Sequence, residues 1–408
     1  FLKENRKGDI FMSLVNTPSG NRLHIGIFGK RNSGKSSLLN AITGQEIALV
    51  SEVKGTTTDP VSKAMEIHPI GPCLLIDTAG FDDTGDLGNM RIEKTKAVLD
   101  KTDVAVVVFS DMQMELETQW IAMLRQRKIP ILAVVNQVDR IEQVQEIKRQ
   151  IEQRFSLTPL LVSAKEKTGI SQMKHEILRL MPPDFEAQSL TGSLVQPEDV
   201  VLLVMPQDKQ APKGRLILPQ VQTIRDLLDN HCVVMCVTTE QLSTALQALA
   251  KPPKLIITDS QAFAQVYPLK PAETLLTSFS ILLAAYKGDL SAFVKGANAL
   301  DSLTDDSHVL IAEACTHAPL QEDIGRVKIP NMLRKKYGEH LQVTVVSGSQ
   351  FPKDLSEYQL IIHCGACMFN RKHVLTRVEQ AEQQGVPITN YGVVLAKLTG
   401  ILDRISMQ

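Results

Sequence analysis

Short, almost unbroken apolar runs alternate with amphipathic stretches along most of this chain. Between residues 23 and 183 the runs HIGIFG, CLLID, VAVVVFS, ILAVVN and LLVSA are separated by helical patterns, with helices expected at 35–42 and 170–180. Strands that are apolar on both faces and separated by helices predict a parallel sheet covered on both sides. From residue 181 to 199 the segment MPPDFEAQSLTGSLVQPED carries Pro, Ser, Gly and acidic residues without periodicity and reads as a linker. A second alternation follows in VVLLVM, CVVMCV and KLIITDS, with helices expected at 221–229 and 241–249. A Pro-containing stretch at 267–271 closes it, and a helical segment is expected over 273–300. The third alternation has the strands HVLIAEA, QVTVVS and QLIIH, a weaker fourth in PIT, and helices near 329–337, 374–383 and 393–402. The expected organisation is three α/β domains with mainly parallel sheets, at 12–183, 199–271 and 272–408, with a linker at 184–198. Residues 1–11, FLKENRKGDIF, precede the patterned chain and are set aside as a leader or arm.

Composition narrows the picture. With 44 Lys plus Arg against 45 Asp plus Glu, the 408 residues carry no global field that would draw them to nucleic acid or an anionic membrane. Six cysteines are too sparse for a disulfide scaffold, and no apolar run is long enough for a signal peptide or membrane span. A cytoplasmic protein with reduced thiols is expected, without nucleic acid or membrane as partner. Clustered cysteines are then metal ligands or reactive groups rather than staples.

The strongest local signal is GKRNSGKS, residues 29–36, between an apolar strand and a helix. It matches G-x-x-x-x-G-K-S, a loop whose amides curl around phosphates. Gly29, Asn32, Ser33, Gly34, Lys35, Ser36 and Ser37 form this cradle; Lys35 reaches the outer phosphates and Ser36 offers its hydroxyl to Mg2+.

Four companions follow in the order a guanine-nucleotide site requires. Thr56, Thr57 and Thr58 lie in GTTTDP, where a hydroxyl, taken as that of Thr57, completes the Mg2+ shell and senses the γ-phosphate. In DTAG, Asp77 holds a Mg2+-bound water and the Gly80 amide meets the γ-phosphate. In NQVD, Asn136 starts the base-reading loop and the Asp139 carboxylate accepts two hydrogen bonds that guanine offers and adenine does not. The SAK segment Ser163, Ala164 and Lys165 closes over the base. The set predicts a P-loop GTPase domain over 12–183, with Lys35, Thr57, Asp77 and Gly80 serving hydrolysis.

This domain resembles the small GTPases of the translation-factor-related class that carry GxxNxGKS and GTTxD. The resemblance implies that Asn32 helps bind a K+ ion which substitutes for an arginine finger. Two departures stand out: Gln137 replaces the usual lysine of the guanine motif, and Phe81 follows DTAG where a glutamine often orients the attacking water. Both point to a slow, switch-like enzyme. Asp82 and Asp83 read as solvated charges.

Of the cysteines, Cys73, Cys232 and Cys236 sit in apolar runs and read as buried hydrophobes. Within one strand, Cys232 and Cys236 would be about 13 Å apart, too far for one metal. Cys315 in AEACTHAP, and Cys364 with Cys367 in HCGACMFN, follow strand ends instead. Open α/β sheets place ligands at the carboxyl ends of their strands, so three thiolates can converge there. With His317 and His363 they suit either a zinc site or three irons of a [4Fe-4S] cluster.

Cys315, His317, His363, Cys364 and Cys367 reproduce the Cys-x-His, long gap and His-Cys-x-x-Cys of the [FeFe]-hydrogenase maturation GTPases. The chain resembles that family across all three expected domains and into EDIGRVKIPNML, residues 322–333. The resemblance implies a middle dimerisation domain at 199–271 and a cluster domain at 272–408. It also implies a [4Fe-4S] cluster on Cys315, Cys364 and Cys367, with a labile fourth ligand from Glu322 or His363, beside a transient di-iron precursor. Implied partners are a second copy, radical-SAM maturases and apo-hydrogenase. The competing expectation is a ribosome- or RNA-associated GTPase with a structural zinc site, against which stand the balanced charge and the 4% aromatic content.

Overall fold

The computed structural model of the chain describes residues 17–44, 61–78, 97–183, 185, 189–206, 216–314, 323–348 and 350–407. The chain divides into two compact units, one up to residue 185 and one from residue 186.

The first unit is a six-stranded sheet of order β2-β3-β1-β4-β5-β6. Its strands are β1 (Leu23–Gly29), β2 (Val61–Ile67), β3 (Gly71–Asp77), β4 (Val104–Phe109), β5 (Ile131–Val135) and β6 (Leu160–Leu161). β1 and β4 are buried at every position, which is why they read as unbroken apolar runs. On one face Leu38, Leu39 and Ile42 of α1 (Lys35–Thr43) share a core with Met173 and Ile177 of α4 (Ile170–Leu180). On the other, Trp120 and Leu124 of α2 (Glu115–Gln126) pack with Ile147 and Phe155 of α3 (Val144–Phe155).

The apolar pattern does not predict β2, because this edge strand runs antiparallel to β3 and alternates polar and apolar residues in VSKAMEI. All other neighbours in the sheet are parallel. The chain leaves β1 and returns on both sides of it, at β3 and β4, so the loop after β1 lies at a switch point of the topology.

The second unit contains two parallel four-stranded sheets. The first has the order β10-β9-β7-β8, from β7 (Val200–Val204), β8 (Val233–Val237), β9 (Leu255–Thr258) and β10 (Leu275–Ser278). The second has the order β12-β11-β13-β14, from β11 (His308–Glu313), β12 (Gln342–Ser347), β13 (Leu360–His363) and β14 (Ile388–Asn390). Among the described residues its helices of seven residues or more are α5 (Leu218–Asp229), α6 (Leu242–Ala248), α7 (Phe279–Lys287), α8 (Leu290–Ala297), α9 (Ile329–Tyr337), α10 (Arg371–Gln383) and α11 (Tyr391–Leu398).

The two sheets share one core. Along β7, Leu202 and Val204 point into a cluster that also holds Val309, Ile311 and Ile361 of the other sheet, while Val201 and Leu203 point into a smaller one. Helix α7 is apolar on most of its circumference because it serves both, burying Ile281 and Ala284 in the first and Leu282 and Leu283 in the second. The two C-terminal domains expected separately are therefore joined through a common interior.

Several expectations change. The helix expected from residue 273 begins as a strand: Leu275–Ser278 pairs with β9, so the sheet of the middle segment runs past the expected boundary at 271/272. Cys73 and Cys232 are buried, but Cys236 is exposed, because β8 is an edge strand with an uncovered face. Cys232 precedes β8 rather than sharing it. Among the described residues, no helix is long and apolar enough to cross a membrane.

Candidate functional site

The phosphate loop runs from Gly29 at the end of β1 to Lys35 at the start of α1. Asn32 and Gly34 hold left-handed backbone, with φ of 63° and 83°. A Cβ on Gly34 would lie 2.4 Å from Nδ2 of Asn136, so both the backbone and the close approach require glycine there. The Lys35 ammonium donates to the carbonyls of Gly29 and Lys30, each at 2.8 Å.

Asn136, fully buried just after β5, ties three segments together. Its Nδ2 donates to the carbonyls of Ser33 (3.0 Å) and Gly34 (3.3 Å), and its Oδ1 accepts from the Ala164 amide (3.2 Å). Gln137, where a lysine is usual, donates from Nε2 to the Asn32 carbonyl at 3.0 Å and so keeps the tie between the base loop and the phosphate loop without the charge. Ser163 Oγ donates to Asp139 Oδ1 at 2.6 Å, and this bond holds the Asp139 carboxyl below the usual range. The carboxylate stays ionised as an acceptor for a base edge. Gly34, Ser37, Asn136, Asp139, Ala164 and Lys165 line a cleft of about 180 Å3.

Asp77 closes β3. Burial raises its carboxyl, while the Lys35 charge opposes the shift. Its Oδ1 is buried with no hydrogen-bond partner among the described residues. A buried carboxylate oxygen left in this way fits a site that takes Mg2+ and its waters. Ser36, Ser37 and Asn32 are exposed at the loop surface. Thr57 and Gly80, together with Thr56, Thr58 and Phe81, lie outside the described residues.

In the second unit, the sheet order β12-β11-β13-β14 puts a switch point between β11 and β13. Cys364 directly follows β13, and Cys315 comes two positions after the end of β11. Cys364 Sγ accepts hydrogen bonds from the amides of Ala314 (3.0 Å) and Ala366 (3.4 Å), so backbone from both strand ends already points at the sulfur. Burial pushes the Cys364 thiol up to about 11, with the two amides acting the other way. Ala366 carries the turn of Cys-x-x-C with φ of 52°, and Phe369 N bonds back to its carbonyl at 3.0 Å.

Two buried cations support this turn, and the sequence pattern did not single them out. Lys287, the last residue of α7, donates from Nζ to the carbonyls of Phe369 (2.7 Å), Cys367 (3.2 Å) and Ala366 (3.4 Å). Burial pushes its ammonium down to about 8, against the pull of both thiolates. On α10, Arg377 lies between the rings of Phe351 and Phe369, at 4.8 and 4.7 Å, and is bonded to His363 Nε2 at 3.0 Å. His363 Nδ1 lies 2.9 Å from the Cys364 carbonyl. Burial, with the Arg377 charge, brings the imidazole down to about 3.

A neutral ring that donates through Nδ1 and accepts through Nε2 satisfies both bonds. Neither nitrogen then has a lone pair for a metal. In this arrangement both ring nitrogens of His363 are engaged within the protein, directly beside Cys364. Cys315, His317 and Glu322 lie outside the described residues, and among the described residues no three His, Cys, Asp or Glu side chains form a metal-holding group. Cys364 and Cys367, both only partly buried and soft in donor character, fit an iron–sulfur group or zinc.

The sheet with its single antiparallel edge strand, the phosphate loop at the switch point and the Asn136–Asp139 base loop define a P-loop GTPase domain, which binds GTP and Mg2+. Comparison with known proteins agrees and extends the assignment to the rest of the chain. Residues 24–137 match the model of the 50S ribosome-binding GTPase family, residues 190–288 that of the hydrogen maturase F dimerization domain, and residues 291–407 that of the hydrogen maturase F tetramerization domain. The chain belongs to the hydrogen maturase F family, the GTPases of hydrogenase maturation.

Similarity elsewhere is confined to a part of the molecule. GTPase Der of Wolinella succinogenes is 33% identical over 172 residues, 39% of this chain and 36% of that protein. The tRNA modification GTPase MnmE of Flavobacterium johnsoniae is 32% identical over 190 residues, 44% of this chain and 39% of that protein. The chain thus spans well under half the length of these curated relatives. Among solved structures, Era of Aquifex aeolicus bound to GDP and aluminium fluoride covers 53% of this chain and 92% of its own, at 19% identity and a TM-score of 0.35.

Proposed function

We propose that this protein is a GTP-switched scaffold. It holds a [4Fe-4S] cluster on Cys315, Cys364 and Cys367, receives a di-iron precursor from radical-SAM maturases and delivers it to apo-hydrogenase. The observation that carries this reading is the Cys-x-x-C turn at the switch point of the C-terminal sheet, with two amides aimed at Cys364 Sγ, in a chain that also has a complete base and phosphate loop. The cluster, when bound, offers an iron with an exchangeable ligand beside which a di-iron unit can be held. Glu322, His363, His317 and an exogenous group are the candidates for that ligand.

On the nucleotide side, Lys35 exchanges its carbonyl acceptors for the outer phosphates, Ser36 and Asp77 serve Mg2+, and Asp139 reads guanine. Thr57 and the Gly80 amide report the γ-phosphate. Asn32, with its carbonyl fixed by Gln137 and its side chain exposed, is the candidate K+ ligand. Hydrolysis is slow and times partner exchange rather than forming a product of its own.

The protein acts as a homodimer in the cytoplasm, where its thiols stay reduced; the five described cysteines are all free. The dimer forms at β8, the sheet edge where Val233 is 57% exposed, flanked by Val221 and Leu228 of α5 at 43% and 54%. An uncovered apolar edge of this kind is a template for pairing with a second copy. Anaerobic purification with iron, sulfide and zinc assay tests the reading; stoichiometric zinc without iron, with co-purifying RNA, would instead support the ribosome-associated alternative.

A further inference from the structure

The Cys-x-x-C loop and the end of α7 are joined reciprocally. Lys287 sends its ammonium into the loop, where three carbonyls of residues 366, 367 and 369 accept from it. Arg371, the first residue of α10, sends Nη1 back to the carbonyls of Tyr286 (3.0 Å) and Gly288 (2.9 Å) at the end of α7. Each cation thus satisfies backbone acceptors of the other segment.

Lys287 is 1% exposed, on a helix whose other buried residues are apolar or small. Burying an ammonium is costly, and a packing role would be met by methionine at no such cost. Its placement turns the loop carbonyls inward towards the charge. Leu283, one turn earlier on α7, and Cys367 belong to the same small core, which sets the distance between helix and loop.

We propose that Lys287 is a positioning residue of the thiol loop: it orders the turn so that Cys364 and Cys367 present together, and its charge lies beneath whatever anionic group those thiolates carry. The proposal rests on the iron–sulfur reading of the site. A positive charge beside an iron–sulfur cluster favours the reduced form, which carries the extra electron. Removing it shifts the reduction potential to more negative values. Because α7 belongs to the C-terminal unit, GTP turnover at the phosphate loop is untouched.

The test compares the full-length protein with Lys287→Met, which deletes the charge and the bonds, and Lys287→Gln, which keeps an amide donor without the charge. Hydrogen exchange is followed in the metal-free proteins, and iron content and an EPR-monitored redox titration after anaerobic loading with ferrous iron and sulfide. In Lys287→Met the amides of residues 364–370 exchange about tenfold faster and less iron is retained. Lys287→Gln keeps more of the exchange protection yet shows the negative shift in potential. Where Lys287→Met fails to fold, Lys287→Gln carries the potential measurement alone. Unchanged exchange and unchanged potential in both variants, with a loaded parent protein, overturn the inference and leave the iron–sulfur reading intact. A parent protein that takes up no iron–sulfur cluster overturns both.

Discussion

Arg377 and Nε2 of His363 meet at 3.0 Å in the interior of the C-terminal unit, beside the thiols. With its ring bonded on both sides, His363 is proposed to support the loop. His363→Ala leaves the buried Arg377 without its imidazole acceptor, so the C-terminal unit loses about 2 kcal/mol. Three-thiolate cluster binding survives, read as iron and sulfide per chain; loss of the cluster in a variant that still melts cooperatively would place His363 in the ligand set.

Lys35→Ala removes the ammonium assigned to the outer phosphates. GTP hydrolysis falls at least about 100-fold. Iron binding by the C-terminal unit is unchanged, because the two compact units have separate interiors. Phosphate release and iron assay on the same preparation check both statements.

Asp139→Ala deletes the acceptor of two guanine hydrogen bonds. GTP affinity drops about 100-fold and the preference for GTP over ATP largely disappears, measured by nucleotide titration.

Glu117 of α2 is 2% exposed and its Oε2 has no hydrogen-bond partner among the described residues, and burial raises its carboxyl to about 7. The folded state therefore holds this proton more tightly than the unfolded chain. Its effect on stability is nil below the unfolded value near 4.5 and becomes increasingly unfavourable as pH rises from there to about 7. Glu117→Gln removes this slope and stabilises the N-terminal unit by about 2 kcal/mol at pH 8, with little gain at pH 4. Denaturation curves at the two pH values give the comparison.

Val233→Lys places a charge at the exposed end of β8, a device that blocks edge pairing. Light scattering then shows loss of the β8-mediated dimer at unchanged helix content; an unaltered mass would move the dimer contact to another surface.

The sequence carried much of this arrangement, and the exceptions have physical causes. Strands buried on both faces, such as β1 and β4, announce themselves as apolar runs, and the phosphate and base loops follow directly from residue order. β2 escaped because an edge strand alternates and half of it is polar. β10 was hidden by the long apolar helix α7 that follows it. Cys236 looked like core, since the exposed edge strand β8 has the apolar composition of an interior. The contacts of His363, Lys287 and Arg377 were not legible: Lys287 meets a carbonyl 80 positions on, and Arg377 meets His363 14 positions before it, because α7 and α10 pack on the thiol loop.

A GTPase and an iron–sulfur site are proposed to reside in this one chain with separable machinery. The most direct measurement is the iron, sulfide and EPR signature of the anaerobically purified protein beside Cys364→Ser. The account predicts about four iron and four sulfide per chain and a reduced-cluster signal in the parent. In Cys364→Ser the cluster is lost and GTP hydrolysis persists. A colourless parent with stoichiometric zinc and no iron, or loss of hydrolysis together with the cluster in Cys364→Ser, would contradict it.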